Sequence, residues 1–477
     1  MNLIRLPTEW LLTFTLGAVC LWSAPARAQS PVTITLDPKA PGAAIPPEFS
    51  GLSFEMEKML PDQQGAWFFS PTNQPLLTLF KTLGIRSLRV GGNTADRPTV
   101  KVPAKADIDS LFAFARAAEA KVIYTLRLRE GDPKQAAEIA KYVLDHYKSD
   151  LTCFALGNEP NVFAKEYPVY RGEWEKYMET ITAPGLAPGA RFCGPSATPG
   201  KTAWARDFLK DFGSSGKIAL ISQHAYPGGG GNKVTDPAAA RDKMLSPEWL
   251  KGYERFYKSF AAAALSNGLP YRLEEANNFF NGGAKDVSDT FAAALWALDY
   301  LHWWAAHHAN GINFHTGDKV AAGAQTTGCR YATFWTSPGG YNVHPIGYGI
   351  KAFALGGVGQ LLPAKLKAGD TLNFTAYGVL APDKTLCVTL INKEHGPGAR
   401  AAQAAIEAGR GYARGHVLFL TAPGGDVAAK TGVTLGASPI KDDGTWQGTW
   451  MPLSPAPNGQ FTLTVPASAA AIVRLSN

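Results

Sequence analysis

The chain is poor in cysteine, with only five among its 477 residues. Cys20 lies in an apolar N-terminal stretch. The other four are far apart along the sequence, at Cys153, Cys193, Cys329 and Cys387. Such wide spacing excludes a zinc knuckle and a dense disulfide framework, so no metal site is predicted. Cys153 and Cys193 lie in apolar, strand-like stretches, where we expect buried thiols.

The sequence also lacks a block of basic residues, because its 46 lysines and arginines are spread along the chain. The formal net charge is +7, and it falls to +6 when Arg5, Arg27 and Glu9 leave with the N-terminal segment. This mild excess is compatible with a polyanionic sugar, but no nucleic-acid-binding motif accompanies it. The glycine run 228–231 lacks the Lys-Ser/Thr of a P-loop and indicates a loop. Neither a nucleic-acid partner nor a cofactor is predicted.

Residues 1–28 have the pattern of an export signal. Arg5 gives a basic start, residues 11–22 form an apolar core, and a small-x-small cleavage motif ends at Ala28. A membrane anchor is less favoured because the apolar run is too short to span a bilayer comfortably. Lipid attachment at Cys20 is less favoured because a better cleavage site lies downstream. We predict a secreted or periplasmic protein with no membrane contact after the signal is removed.

Up to about Leu355, short β-branched runs alternate with amphipathic helical stretches. The predicted strands are 51–55, 87–90, 122–126, 152–156, 191–193, 219–224, 271–275 and 311–315. Helical stretches lie between them, among them 108–120, 133–147, 173–181, 247–265 and 289–306. Eight strands with helical crossovers predict a (β/α)8 TIM barrel of the α/β class, placed at residues 45–350.

Helical periodicity nearly disappears after Leu355. Strand-like runs follow at 372–376, 385–392, 416–420, 461–465 and 471–475, separated by Gly-, Pro- and Asp-rich turns. This pattern predicts a C-terminal antiparallel β-sandwich at residues 351–477. The alternating run at 32–36 precedes the barrel, so residues 29–44 are predicted to add an N-terminal strand to that sandwich.

Two glutamates stand at predicted strand ends, where a barrel of this kind places its functional residues. Glu159 ends the fourth strand and Glu275 ends the seventh. A retaining glycoside hydrolase needs such a pair, in which one carboxyl group protonates the departing oxygen and an ionised carboxylate attacks the anomeric carbon. The two groups would then lie about 5–5.5 Å apart.

The Asn-Glu-Pro sequence at residues 158–160 directly follows the fourth strand. A Glu-Pro pair alone is usually a solvated loop. Placed here, the sequence resembles the acid/base motif of the clan A glycosidases. The resemblance implies that Glu159 is the acid/base and that Asn158 binds the sugar 2-hydroxyl.

The seventh strand offers a choice between Glu274 and Glu275. Side chains alternate along a strand, and we expect Leu273, on the face of Glu275, to mark the apolar barrel interior. Residues 273–284 also resemble the nucleophile segment of the heparanases and related β-glucuronidases, glycoside hydrolase family 79, in which Leu-x-Glu precedes small polar residues and a glycine run. Both considerations favour Glu275 as the nucleophile, with Glu274 as the alternative.

A second segment, residues 87–93, resembles the Leu-Arg-x-Gly-Gly motif of the same family. The resemblance implies that Arg89 orients the nucleophile or keeps it ionised and that Asn93 faces the substrate. A purely structural ion pair is the alternative for Arg89. Glu55 ends the first strand and matches an acidic residue that lines the sugar site in relatives, where it would accept a hydrogen bond from a sugar hydroxyl.

The sixth strand ends with His224 and Tyr226. In the clan, a histidine and a tyrosine at this position contact the nucleophile and the sugar, so Tyr226 is expected to hold an oxygen of the nucleophile. The alternative for His224 is a core histidine whose hydrogen bonds are satisfied within the protein.

Glucuronate specificity is implied by two further matches to the family. Tyr331 and the Asn281-Gly282-Gly283 loop correspond to the tyrosine hydroxyls and backbone amides that hold the glucuronate carboxylate. Glycine in this loop permits close approach of the backbone to a ligand. The alternative for Tyr331 is an ordinary packed aromatic. His315 ends the eighth strand and is expected to line the same pocket.

These residues predict a retaining β-glucuronidase whose partner is a glucuronic-acid-containing glycan or glycoside. Exo action is favoured because the export signal is of bacterial style and no processing linker is evident. Two alternatives stay open. One is a clan A glycosidase of another specificity, such as a xylanase or arabinofuranosidase. The other is a non-catalytic carbohydrate-binding protein, against which the pair of glutamates argues.

Overall fold

The computed structural model describes residues 29–477, apart from residues 324, 370 and 410. The predicted export signal, residues 1–28, lies outside the described residues. Within the described part, none of the helices combines the length and apolar character that crossing a bilayer requires.

A first strand, β1 (Gln29–Leu36), precedes a closed barrel of eight parallel strands. In order around the barrel these are β2 (Ser50–Glu55), β3 (Ser87–Gly91), β4 (Lys121–Leu126), β5 (Leu151–Leu156), β6 (Phe192–Ala197), β7 (Ile218–Ala225), β8 (Tyr271–Ala276) and β9 (Gly311–His315). The TIM barrel predicted from the alternating pattern is therefore confirmed.

Helices follow the barrel strands and cover them from outside. They are α1 (Gln74–Leu83), α2 (Lys105–Ala117), α3 (Pro133–Tyr147), α4 (Tyr167–Thr182), α5 (Thr202–Phe212), α6 (Pro237–Leu245), α7 (Pro247–Phe256), α8 (Ala262–Ser266), α9 (Phe291–Ala306) and α10 (Pro345–Gly356). A π-helical turn at Tyr257–Ala261 joins α7 to α8. Helices α3 and α6 begin with proline after an aspartate, Asp132 or Asp236, whose side chain accepts a backbone N–H of the first turn.

Two short hairpins lie between β9 and α10, in a region without predicted elements. The first consists of β10 (Lys319–Ala322) and β11 (Gln325–Gly328), and the second of β12 (Phe334–Ser337) and β13 (Gly340–Val343). Their exposed, polar positions give little hydrophobic periodicity, which explains why the sequence did not reveal them.

The remaining strands form the C-terminal domain. They are β14 (Gln360–Leu362), β15 (Ala364–Ala368), β16 (Phe374–Leu380), β17 (Leu386–Asn392), β18 (Ala401–Glu407), β19 (Arg414–Thr421), β20 (Thr434–Leu435), β21 (Met451–Leu453), β22 (Phe461–Val465) and β23 (Ala469–Ser476). One sheet has the order β14-β16-β17-β23-β19-β20 with β21 beside β19, and the other has the order β15-β1-β18-β22. Buried apolar side chains of both sheets share one core, Val32 and Val388 among them.

Strand β1 thus joins the C-terminal sandwich, as the sequence predicted. It pairs antiparallel with β15 and parallel with β18. The β1–β18 pair is the departure from a purely antiparallel sandwich among the described strands.

Helices α9 and α10 connect the barrel to the sandwich, and α9 is buried on nearly every side. On α9, the carboxylate of Asp299 accepts hydrogen bonds from the hydroxyls of Thr375 and Tyr377 and pairs with Lys393 at 2.7 Å. One helical turn further on, the His302 ring stacks on Tyr377 with 4.8 Å between centroids. A buried, charged contact therefore ties α9 to the sandwich.

Candidate active site

The carboxyl ends of the barrel strands surround a pocket of about 230 Å³, called here the central pocket. Its lining includes the predicted site residues Glu55, Asn93, Glu159, Tyr226, Glu275, Asn281, Gly282, His315 and Tyr331. Nine residues from seven separate segments of the sequence thus meet in one place. Asn158, Arg89 and His224 lie beneath them as buried side chains.

Glu275 is buried at the end of β8, yet surrounded by groups that stabilise its charge. Arg89 from β3 donates to its Oε2 at 2.6 Å, and the Tyr226 hydroxyl donates to its Oε1 at 2.9 Å. Nδ1 of His315 lies 3.8 Å from Oε2. Nδ1 of His224 lies 3.6 Å from Oε1.

Burial alone would raise the pKa of Glu275, because a carboxylate loses hydration in the protein interior. The positive charges of His315, His224 and Arg89, together with the Tyr226 hydrogen bond, outweigh that effect and hold the pKa well below its ordinary value. Burial beside Glu275 raises the pKa of Tyr226 well above its usual value, so its hydroxyl stays a donor.

Glu159 faces Glu275 from the other side of the central pocket. One oxygen of each carboxylate and Nδ1 of His224 all lie within 4.8 Å of one another. His224 Nδ1 is 3.0 Å from Oε1 of Glu159, so the imidazole stands between the two acids. The Glu159 side chain keeps 17% of its surface exposed, whereas Glu275 is nearly enclosed.

The backbone after β5 turns sharply to present Glu159. Glu159 itself is left-handed, with φ of 47° and ψ of 53°, and Gly157 has φ of 76°. Non-glycine residues seldom adopt this conformation, which clusters at functional sites. The turn is held by Asp96, whose carboxylate accepts the backbone N–H of Asn158 at 2.6 Å, and by the Glu159 N–H, which donates to the Ser196 carbonyl.

Arg89 is fully buried and connects the strand ends. Besides Glu275, its guanidinium donates to Ser53 at 3.1 Å and to the side-chain oxygen of Asn158 at 2.7 Å. The Asn158 amide in turn donates to Asn93 at 3.1 Å. Desolvation lowers the pKa of Arg89, but the negative charge of Glu275 raises it by more. The net shift of the pKa is upward, so the guanidinium keeps its charge.

Glu55 and His315 form a second charged pair in the wall of the pocket. Glu55 accepts hydrogen bonds from the backbone and hydroxyl of Thr94 and from the Ala321 N–H. His315 Nε2 lies 3.5 Å from Glu55. Burial opposes charge on both groups, yet their partners prevail, lowering the pKa of Glu55 and raising that of His315.

The loop after β8 contributes the opposite wall. Asn281 and Gly282 have φ of 59° and 79°, and the Gly282 carbonyl accepts the Arg330 N–H at 2.6 Å. Neither Gly282 nor Gly283 donates its backbone N–H to an acceptor within the described part of the chain. Tyr331 is 2% exposed and packs beside the Tyr226 ring.

The Glu274 side chain points into the barrel interior, where the sequence had predicted the face of Leu273 and Glu275. Leu273 belongs to the apolar layer between strands and helices, not to the barrel interior. Glu274 instead is fully buried and contacts the Ser196 hydroxyl and, at 3.3 Å, Cys193 Sγ. The argument from an apolar interior was therefore wrong, because this barrel is filled partly with polar groups. Strand β8 shows register shifts against both neighbours, which lets Glu275 also reach the mouth.

Several contacting residues were missed by the sequence reasoning. Asp96, Thr94 and Ser53 hold Asn158, Glu55 and Arg89, as described above. For Asp96 and Thr94 a signal existed, since both follow the glycine pair of the segment 87–93. The four cysteines from Cys153 onward are free and buried.

Glu159, His224 and Glu275 are also close enough to share a metal ion. Such an ion would meet the guanidinium of Arg89, which already lies 2.6 Å from Glu275. The charge of Glu275 is balanced by that arginine, so the geometry does not call for a metal.

Residues 184–302 match the family model of the glycosyl hydrolase family 79 N-terminal domain. A β-glucuronidase of Aspergillus niger is 30% identical over 115 residues, which are 23% of this chain and 20% of that protein. Heparanase of Rattus norvegicus is 26% identical over 211 residues, 41% of this chain and 38% of that protein. The chain thus spans between about a fifth and two fifths of the length of these relatives.

Solved structures share the whole architecture at low identity. A 4-O-α-L-rhamnosyl-β-D-glucuronidase from Fusarium oxysporum superposes with a TM-score of 0.68 at 19% identity, covering 92% of this chain and 99% of that one. A family 51 arabinofuranosidase from Xanthomonas axonopodis gives 0.66 at 14% identity, covering 94% and 100%. These likenesses show the fold alone. The region matched by the family model includes His224, Tyr226 and Glu275. The resemblance to glycoside hydrolase family 79 that the sequence indicated is therefore confirmed, and residues 184–302 carry the match to the N-terminal domain of that family.

Proposed function

We propose that this protein is a retaining β-glucuronidase in which Glu275 is the nucleophile and Glu159 the acid/base. The observation that carries the proposal is the placement of the two carboxylates, with oxygens within 4.8 Å of each other across one pocket. Retaining enzymes separate these groups by about 5–5.5 Å, whereas inverting enzymes need about 6.5–9.5 Å to admit a water molecule.

In the first step, an oxygen of Glu275 attacks the anomeric carbon and the glycosidic bond breaks. Arg89 and Tyr226 keep the attacking carboxylate ionised and fix its orientation. The proton of Glu159 passes to the departing oxygen, so the leaving group departs as a neutral alcohol. A glycosyl ester on Glu275 results.

In the second step, Glu159 has lost its proton and acts as a base. It takes a proton from a water molecule, whose oxygen attacks the anomeric carbon and displaces Glu275 as a carboxylate. Two inversions at that carbon give net retention. The partial exposure of Glu159 supports this role, since both leaving group and water must reach it.

Asn158 is proposed to bind the 2-hydroxyl of the sugar bound to Glu275. Its side-chain oxygen accepts from Arg89, and its amide donates to Asn93, so the side chain cannot rotate freely. Hydrogen bonds to the 2-hydroxyl strengthen in the transition state of this reaction. Asn93 and Glu55 are proposed to contact other hydroxyls of the same sugar.

The proposed substrate group is glucuronate. The backbone N–H groups of Gly282 and Gly283 are free to donate within the described structure, and Tyr331 lines the same wall. A carboxylate satisfies such donors better than a hydroxymethyl group does. His315, whose pKa is raised by Glu275 and Glu55 against the effect of burial, adds positive charge nearby.

Exo action and export complete the proposal. A pocket of about 230 Å³, bordered on one side by the β10–β11 hairpin, favours a terminal sugar over an internal one. Cleavage after Ala28 would release a secreted or periplasmic enzyme starting at Gln29. Mass spectrometry of the protein recovered outside the cytoplasm checks the cleavage site.

The test compares hydrolysis of 4-nitrophenyl β-D-glucuronide with the β-xyloside, β-glucoside and α-L-arabinofuranoside. We expect turnover of the glucuronide, lost in both Glu159→Gln and Glu275→Gln, whereas Glu274→Gln keeps measurable activity. With Glu275→Ala, azide should give the α-glucuronosyl azide. Turnover of a neutral glycoside alone would refute the substrate and leave the mechanism, and sugar binding without any hydrolysis would indicate a non-catalytic protein.

A further inference from the structure

A second pocket borders the central pocket and is walled mainly by aromatic rings. It has a volume of about 430 Å³, within the range of roughly 300–1,000 Å³ usual for small-molecule sites. We call it the aromatic pocket. Its aromatic lining residues are Tyr226, Tyr253, Phe256, Phe280, Tyr300 and Trp304. Pro199, Tyr226 and Phe280 line both pockets, so the two are adjacent.

One of the residues shared by the two pockets, Pro199, follows the segment that holds the loop of the proposed acid/base. A proton donor must stand beside the oxygen of the leaving group, so the leaving group of the substrate occupies the Glu159 side of the central pocket. The loop of Glu159 is tied to the segment after β6, because Asn161 and Thr198 exchange two hydrogen bonds. Pro199 comes next in that segment and forms part of both walls. A leaving group that extends along this segment enters the aromatic pocket.

The aromatic pocket is walled mainly by aromatic and apolar side chains, and Arg255 is the charged residue in its lining. The Tyr226 hydroxyl is used by Glu275, and the Tyr253 hydroxyl accepts from Trp296 at 2.6 Å. The buried Tyr300 hydroxyl and Trp304 Nε1 have no hydrogen-bond partner in the described structure. A sugar ring would bring several hydroxyl groups, each costly to bury unpaired. A planar ring stacks on aromatic walls with no such cost.

We propose that the aromatic pocket binds an aromatic aglycone, so that the substrates are β-glucuronides of fused-ring phenols. This inference rests on the function proposed above and names the leaving group of that reaction. The ring of the phenol lies among the aromatic side chains, with its glycosidic oxygen beside Glu159.

Glycine positions on two helices allow a test that preserves the fold. Gly252 of α7 lines the aromatic pocket, and a Cβ placed on it would meet only the Arg255 side chain, at 4.0 Å. Gly252→Leu therefore fills the pocket, and leucine is favoured over glycine in a helix. Gly172 of α4 has no atom within 4 Å of its Cβ position and lines neither pocket, so Gly172→Leu is the matched control.

The experiment measures kcat/KM of the full-length protein for 2-naphthyl and methyl β-D-glucuronide. We expect Gly252→Leu to lower the naphthyl-to-methyl ratio of kcat/KM about tenfold, and the inhibition constant of 2-naphthol to rise similarly. Gly172→Leu should leave both unchanged. An unaltered ratio in Gly252→Leu would overturn the aglycone site while glucuronidase activity stands.

Two further outcomes are distinguishable. Absence of hydrolysis of both glucuronides by the unmodified protein would defeat the proposed function itself. The disaccharide glucuronyl-β-1,3-galactose is the third substrate in this comparison. If Gly252→Leu impairs this disaccharide selectively and spares the naphthyl compound, the pocket is a sugar subsite and the aromatic assignment is overturned.

Discussion

At Glu275, burial and local charge act in opposite directions on one carboxyl group. Its side chain is 8% exposed, which disfavours ionisation, but Arg89, His224 and His315 surround it with positive charge. A nucleophilic carboxylate needs both conditions, because a desolvated anion is more reactive and must still be ionised. The Tyr226 hydroxyl is the uncharged hydrogen-bond donor among these groups.

Replacing Tyr226 by phenylalanine removes that donor alone. A hydrogen bond to a charged group contributes about 1.5–3 kcal/mol, so kcat/KM for the glucuronide should fall on the order of 10- to 100-fold. Loss of the donor also raises the pKa of Glu275 toward its ordinary value. Because the proposed nucleophile Glu275 must be ionised to attack, the acid limb of the pH–rate profile should move to higher pH.

Tyr124→Phe is the control for this prediction. The Tyr124 hydroxyl is equally buried but has no hydrogen-bond partner among the described residues, and it lies outside the central pocket. Its removal should leave the pH–rate profile in place. An unshifted acid limb in Tyr226→Phe would show that this hydroxyl does not tune the nucleophile.

The sequence revealed which residues meet in the site but not how they face. Glu275, Arg89 and Asn158 could be proposed from strand-end motifs, because parallel strands of a barrel all end at one mouth. The choice of Glu275 over Glu274 rested partly on regular alternation along the strand. The register shifts beside β8 break that alternation, and such irregularities depend on neighbouring strands that a single segment does not encode.

At the level of elements, β-branched composition made the eight barrel strands visible. Strands β15 and β18 were missed because their sequences, rich in alanine and lysine or glutamine, favour helix when considered alone. Both are strands because they pair with β1. Tertiary pairing therefore decided their conformation against local propensity.

The loop after β8 and the hairpin β10–β11 form one wall through Gly282. A Cβ on Gly282 would lie 2.7 Å from Thr327 Cγ2 and 2.8 Å from the Gly328 carbonyl oxygen. Gly282→Ala should therefore displace the wall and raise KM for the glucuronide severalfold, beyond the strain of about 1 kcal/mol that a positive φ imposes on alanine. Steady-state kinetics measure the change.

Gly65→Ala is the control that distinguishes backbone strain from steric contact of the added Cβ. Gly65 has φ of 81°, close to the 79° of Gly282, but no atom lies within 4 Å of its Cβ position. It should share the backbone strain and leave KM unaltered. Equal KM values in the two variants would mean that the Gly282 wall does not contact the sugar.

At the scale of the whole molecule, a buried ion pair between Asp299 and Lys393 joins the barrel to the sandwich. Asp299→Asn would leave the Lys393 ammonium buried without its anion, which typically costs about 3–5 kcal/mol. The urea midpoint should fall accordingly. Asp145→Asn breaks an exposed pair with Lys141 and should cost about 1 kcal/mol or less. Similar midpoints for the two variants would argue against a tight interface.

His302 makes the same interface sensitive to acid. Burial lowers its pKa to about 3, so it is neutral in the folded protein. The unfolded chain, with a histidine pKa of about 6.5, takes up a proton that the folded chain does not, and stability therefore falls as pH drops from about 6.5 toward 3.

His302→Phe keeps a ring against Tyr377 and removes the titrating group. The urea midpoint should then decrease less between pH 7 and pH 5 than in the unmodified protein. His146→Phe, at an exposed position on α3, is the comparison and should retain the full decrease. If the urea midpoint of His302→Phe depended on pH as that of the unmodified protein does, another group would be responsible for the acid sensitivity.

The place of strand β1 at the start of the described chain determines how long it waits for its partners during synthesis. Its partner β18 begins 365 residues after β1 ends, beyond the entire barrel. At roughly 5–20 residues per second, a ribosome needs about 20–70 s to deliver that partner. For most of this interval, until its other partner β15 emerges, the backbone of β1 is an unpaired strand that is open to wrong pairing. Newly made chains should therefore need a chaperone until the last domain emerges.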